Sequence, residues 1–160
     1  MADGGGQRRR RRRPGDDLRT ESRERALTIL YEAQSKRLEP SEVVASLPIR
    51  PDDRVIDLVS GVQDRAAAID EAIRSHARNW DLARMPVIDL AVLRIATHEL
   101  MCEPDTPTAV IIDEAVELAK RFSTDDSGRF VNGVLAAVAQ QVRGGSAPAA
   151  GGTEAHDATE

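Results

Sequence analysis

The sequence predicts an all-α protein, and three observations lead there. Between Pro107 and Val138 two apolar stripes recur at helical spacing on either side of a short polar corner. Hydrophobic residues make up 41% of the 160, enough for a real core. Only 2% are aromatic, which leaves that core to Leu, Ile, Val and Ala. Such a composition favours packed helices over a sheet sandwich, which draws more on aromatic and β-branched residues.

Met1 to Asp17 is of low complexity, with six adjacent arginines, Arg8 to Arg13. Like charges in a row repel and resist burial, so this arm is expected to be disordered when free and to order on phosphates. A first helix is expected from Arg19 to Leu38, with Ala26, Ile29, Leu30 and Ala33 on its buried face and Thr20 or Ser22 as its cap. Arg19, Arg23 and Arg25 then stand at a helix start, where positive charge opposes the dipole and a bound phosphate would relieve the conflict. Pro40 to Asp53 reads as a short helix and a loop. One helix of seven turns is expected to follow, with Val55, Leu58, Val59, Val62, Ala66, Ile69, Ile73, Ala77 and Trp80 on one stripe. Gly61 within it suggests a close helix contact.

Val87 to Met101 is apolar almost all round and is expected to be buried on several sides. Arg94 inside it then needs a partner, for which Glu114 is the candidate. In the next helix Ile111, Ala115, Leu118, Ala119 and Phe122 share a face. The corner Ser123-Thr124-Asp125-Asp126-Ser127 ends that helix and caps the last one. Phe130, Val131, Val134, Leu135 and Val138 make the final stripe. Gly133 in its midst costs about 1 kcal/mol against alanine, which close approach of another helix would offset. From Gly144 to Glu160 the chain is Gly-Ala-rich without periodicity and reads as a disordered tail.

Charge divides along the chain. Met1 to Arg25 holds nine arginines against five acids, while Ala26 to Arg143 holds 13 basic and 19 acidic residues. A basic arm on an acidic body points to a localised nucleic-acid contact. Cys102 is the only cysteine, so no internal disulfide forms, as suits a cytoplasmic protein. No secretory signal and no apolar run near 18 residues is present. There is no phosphate-cradling glycine loop, paired-cysteine zinc spacing or nucleophile elbow. A binding protein, without catalytic residues, metal or cofactor, is the expectation.

The run IIDEAVELAKRFSTDDSGRFVNGVLAAVA closely resembles the C-terminal signature of the NusB family of transcription antitermination factors. RERALTILYEAQ is similar to that family's first helix, LVSGVQDRAAAIDEAI to its third, and WDLARMPVIDLAVLRIATHEL to the entry of its C-terminal bundle. The resemblance spans about Arg19 to Val142. It implies two packed three-helix bundles, about 19–80 and 81–143, within a helical domain of 19–143. An arm of 1–18 and a tail of 144–160 would flank that domain.

Functionally, the resemblance implies binding of boxA-type RNA in nascent ribosomal RNA leader transcripts. Binding would be shared with NusE, a small-subunit ribosomal protein, in a complex that joins RNA polymerase and other Nus factors and opposes premature termination. Carried over residue by residue, it makes Arg19, Arg23 and Arg25 phosphate contacts and Asp126, Arg129 and Phe130 an RNA-holding corner. Tyr31 and Asp89 fall at the NusE surface. Leu90 stands where the family usually has Arg, and His98 where it usually has Tyr. The family contains both monomers and dimers, so a homodimer stays open. Two other readings remain: a structural helical module whose arm binds RNA without sequence preference, and an RNA-binding domain like that of rRNA cytosine methyltransferases.

Overall fold

The computed structural model describes residues 14–77 and 81–144. Among them are seven α-helices and no strand: α1 (Pro14–Lys36), α2 (Pro40–Ser46), α3 (Asp53–Asp64), α4 (Ala66–His76), α5 (Val87–Cys102), α6 (Thr108–Phe122) and α7 (Asp125–Arg143). The all-α expectation holds. Arg8 to Arg13, Trp80 and the tail beyond Gly144 lie outside the described residues.

Helix α5 is the axis of the fold. Its residues Asp89 to Val92 and Ile95 to Leu100 are all buried, and α1, α3, α4, α6 and α7 all pack on it. On one side α1, α2 and α3 pack together; on the other, α6 and α7 close a bundle with α5. One continuous core runs through both sides, from Ala26 and Leu30 through Leu93 and Ile95 to Leu135 and Val138.

Several local expectations are corrected. Helix α1 begins at Pro14, five residues earlier than expected, and carries Asp16 and Asp17 in its first turn. Thr20 and Ser22 are therefore not caps. Their hydroxyls donate back to the carbonyls of Asp16 and Leu18, both at 2.9 Å. The arginines fall beyond the first turn, so the supposed conflict with the helix dipole disappears.

The seven-turn helix is two helices. Arg65, at φ −107° and ψ 16°, breaks the chain between α3 and α4. The apolar stripe keeps phase across the break, so spacing alone could not reveal it. The bend lets Ile69, Ala72 and Ile73 of α4 join the core while α4 packs on α5 and α7. Arg94 pairs with Asp70 of α4, at 2.9 and 3.0 Å, and not with Glu114, which lies by Thr20 and Arg23.

Gly61 does mark a close helix contact: the His98 ring of α5 lies against its Cα. Burial holds the His98 imidazole below its usual pKa, with the charge of Glu103 opposing that shift. A histidine kept neutral in the fold stabilises fully above its unfolded pKa of about 6.5. That contribution fades as pH falls through 6.5 toward the lower folded value. Urea midpoints at pH 8 and pH 5.5 should therefore fall more for the native chain than for His98→Gln.

Gly133 behaves otherwise. It is exposed, and a Cβ built on it would meet nothing within 4 Å. No helix offsets its flexibility, so Gly133→Ala is expected to raise stability by about 1 kcal/mol, read as a higher urea midpoint. Phe122 is also corrected. It is 46% exposed at the end of α6, with the Arg121 guanidinium 5.1 Å from its ring centre.

Candidate nucleic-acid interface

The arginines of α1 divide by helical position. Arg23 lies at i, i+3, i+4, i+7 with Ala26, Leu27 and Leu30, so it turns inward and is only 3% exposed. Its Nε donates to both Glu99 oxygens, at 2.9 and 3.2 Å, and Nη1 lies 3.8 Å from Glu114. Arg54 of α3 meets the same Glu99 at 3.1 Å and binds Glu103 with two nitrogens, at 2.7 and 3.1 Å. Burial pushes the Glu99 carboxyl up, against the pull of Arg23. Burial acts the same way on Glu103, but the hydrogen bond and charge of Arg54 prevail and hold it low. The bonds to Glu103 in turn raise Arg54. The phosphate role expected for Arg23 is therefore corrected: this guanidinium is an internal link between α1 and α5.

Arg19 and Arg25 are exposed, and neither meets a carboxylate among the described residues. The neighbouring Thr20 and Glu24 face α6, where the Thr20 hydroxyl proton is shared between the Asp16 carbonyl and Glu114, at 2.8 Å, and Glu24 pairs with Arg121. Those links tie the first half of α1 to α6.

The corner forms as its sequence suggests. Thr124 is the N-cap of α7, its Oγ1 accepting from the Ser127 N–H at 3.0 Å. Asp126 and Arg129 form an exposed ion pair one turn apart, and Phe130 is half-buried against the core. Asp89, assigned to a partner surface, is instead 3% exposed and accepts from the Ser127 hydroxyl at 2.8 Å. It positions the corner from inside, because its helix α5 is buried all round. Tyr31 is 46% exposed on α1 and remains available to a partner.

Sequence reasoning missed Arg121 and Phe122. Phe122 falls on the buried stripe by spacing, but α6 ends there and the chain turns away. The result is an exposed cation and aromatic face beside the corner, a pairing suited to nucleotides. No group of three or more His, Cys, Asp or Glu that could hold a metal ion occurs among the described residues. No described helix is long and apolar enough to cross a membrane.

The sequence profile of the NusB family matches residues 20–140. The chain belongs to the NusB family. The transcription antitermination protein NusB of Kineococcus radiotolerans is 41% identical over 126 residues, covering 76% of this chain and 93% of that protein. The NusB structure from T. maritima is 32% identical with a TM-score of 0.71, covering 77% of this chain and 91% of that one. A NusB chain crystallised with NusE and double-stranded RNA is 25% identical with a TM-score of 0.67, covering 78% and 98%. Membership makes this a transcription factor and not an enzyme.

Proposed function

We propose that this NusB-family chain binds boxA-type RNA of nascent ribosomal RNA leader transcripts together with NusE. In that complex, with RNA polymerase and other Nus factors, it opposes premature termination. One observation carries the reading: Arg19 and Arg25 are exposed and meet no carboxylate among the described residues, while the α6–α7 corner presents Asp126, Arg129 and Phe130. The related NusB crystallised with NusE and RNA supports it.

The mechanism is recognition without turnover. Arg19 and Arg25 hold phosphates and release counterions, while the corner and the Phe122 face meet unstacked bases. The exposed Asp126–Arg129 pair is weak in water, so Arg129 exchanges readily to phosphate. Tyr31 serves NusE, and Asp89 acts indirectly by holding Ser127.

The test is fluorescence anisotropy of a boxA-like RNA and a scrambled control, with and without NusE, over a salt series. The full chain, a chain lacking residues 1–13, and Arg19→Ala with Arg25→Ala are compared. NusE should tighten binding to the boxA-like RNA alone, and the shortened chain should keep the preference. Loss of both arginines should lower the log–log salt slope by about 1.4, at about 0.7 per single-strand phosphate. Equal binding of both RNAs, unchanged by NusE, would overturn the proposal.

A further inference from the structure

Beside Arg19 and Arg25, on the side of α1 away from α6, lies a groove of about 490 Å³. Its walls are Leu18, Arg19, Ser22 and Arg25 of α1 and Ile49 and Arg50 of the loop between α2 and α3. We infer that this groove is a second RNA subsite, taking one unstacked nucleotide between Leu18 and Ile49 with its phosphates on Arg19, Arg25 and Arg50. The inference rests on the RNA-binding reading above and extends the strand's path onto the α2–α3 loop.

Charge favours this occupant. The body from Ala26 to Arg143 has six more acids than bases, yet the groove gathers arginines from two separate elements. Glu21 and Asp52 also line it, and Arg54 at its floor is neutralised by Glu99 and Glu103. Arg19, Arg25 and Arg50 remain to meet an anion. Arg50 does pair with Asp53 at 2.9 Å, but the two side chains are 70% and 87% exposed. Such a pair holds little net energy and yields to a phosphate.

Apolar exposure supplies the second argument. Leu18 is 64% and Ile49 80% exposed, the two largest values among the described large hydrophobics, and both open on this groove. Ile49 stands between Pro48 and Pro51 in the sequence. Proline fixes its own φ and restricts the residue before it, so Leu47 and Pro48 on one side of Ile49 and Arg50 and Pro51 on the other are restricted before anything binds. Little ordering entropy is then lost on docking. Apolar faces flanked by arginines suit an unstacked base and its phosphates, and a groove of this size takes one nucleotide, not a duplex.

Arg50→Gln and Ile49→Ser in the full chain test this with boxA-like RNA and NusE over a salt series. Urea midpoints confirm that both variants stay folded. Arg50→Gln should weaken binding about tenfold and lower the salt slope by about 0.7. Ile49→Ser should weaken binding with the slope unchanged, and photocrosslinks from 4-thiouridine RNA should reach the Ile49–Pro51 peptide. Native affinity and slope in both variants, with no crosslink there, would overturn the subsite. If Arg19→Ala and Arg25→Ala still weaken selective binding in that case, the proposed function stands and only the groove fails. If the native chain shows no preference for the boxA-like RNA, both fall. An acidic peptide that binds the native chain but not Arg50→Gln, and at saturation leaves RNA affinity unchanged, would also overturn it, marking a protein site instead.

Discussion

Arg23→Ala is expected to lower stability by about 3–5 kcal/mol, the usual loss when one partner of a buried ion pair is removed. Glu99 is 1% exposed and, among the described residues, would keep only Arg54, at 3.1 Å, as a cation. Its carboxyl is already raised by burial, and without Arg23 it rises further. A carboxyl whose folded pKa lies above its unfolded value stabilises increasingly as pH falls. The deficit of Arg23→Ala should therefore shrink on acidification, as Glu99 becomes neutral. Replacing both residues, as Arg23→Met with Glu99→Met, should recover most of the loss, because apolar side chains of similar volume need no desolvation of charge. Urea midpoints of the three chains at pH 7 and pH 5 decide this. A deficit below about 1 kcal/mol at pH 7 would mean that the link is weak and Arg23 available elsewhere. The RNA titration separates the same alternatives. Under conditions where Arg23→Ala is folded, its salt slope should match the native chain, unlike that of Arg19→Ala or Arg25→Ala.

Arg23 also shows what spacing can and cannot disclose. Its place on the stripe of Ala26, Leu27 and Leu30 was legible, and that stripe marks it as inward. A cluster of arginines at a chain's start draws attention to phosphates and hides this geometry. Asp89 is harder to read, since a helix buried on every face leaves no outward side from which to judge it. Arg94 needed a carboxylate, and the need was legible. The choice of Asp70 over Glu114 depends on how α4 crosses α5, which no local pattern encodes. The Thr124 cap, the apolar α5 and the Gly61 contact were readable because each follows from one segment's own chemistry. The groove was not, because its two walls lie about thirty residues apart.

Gly61→Ala is the second large expected effect. A Cβ at this position would lie 2.2 Å from His98 Cε1, 2.4 Å from Nε2 and 2.8 Å from Nδ1, inside the ring's own contact distance. His98 is 7% exposed, and its Nδ1 is buried without a hydrogen-bond partner among the described residues, so no polar anchor there defines another place for the ring. Either the ring leaves its rotamer or α3 moves off α5. Overpacking of this kind costs about 1–3 kcal/mol. If α3 moves, Arg54 moves with it and the Glu99 cluster loosens, so the upper end of that range is expected. His98→Ala removes the obstruction at the expense of a cavity. The double change Gly61→Ala with His98→Ala should thus be more stable than the sum of the two single losses implies, by about 1 kcal/mol or more. Strict additivity in urea midpoints would show that the helices separate without resistance. A clear excess would show that the ring on Gly61 sets the spacing of α3 and α5, and through Arg54 the alignment of the groove above them.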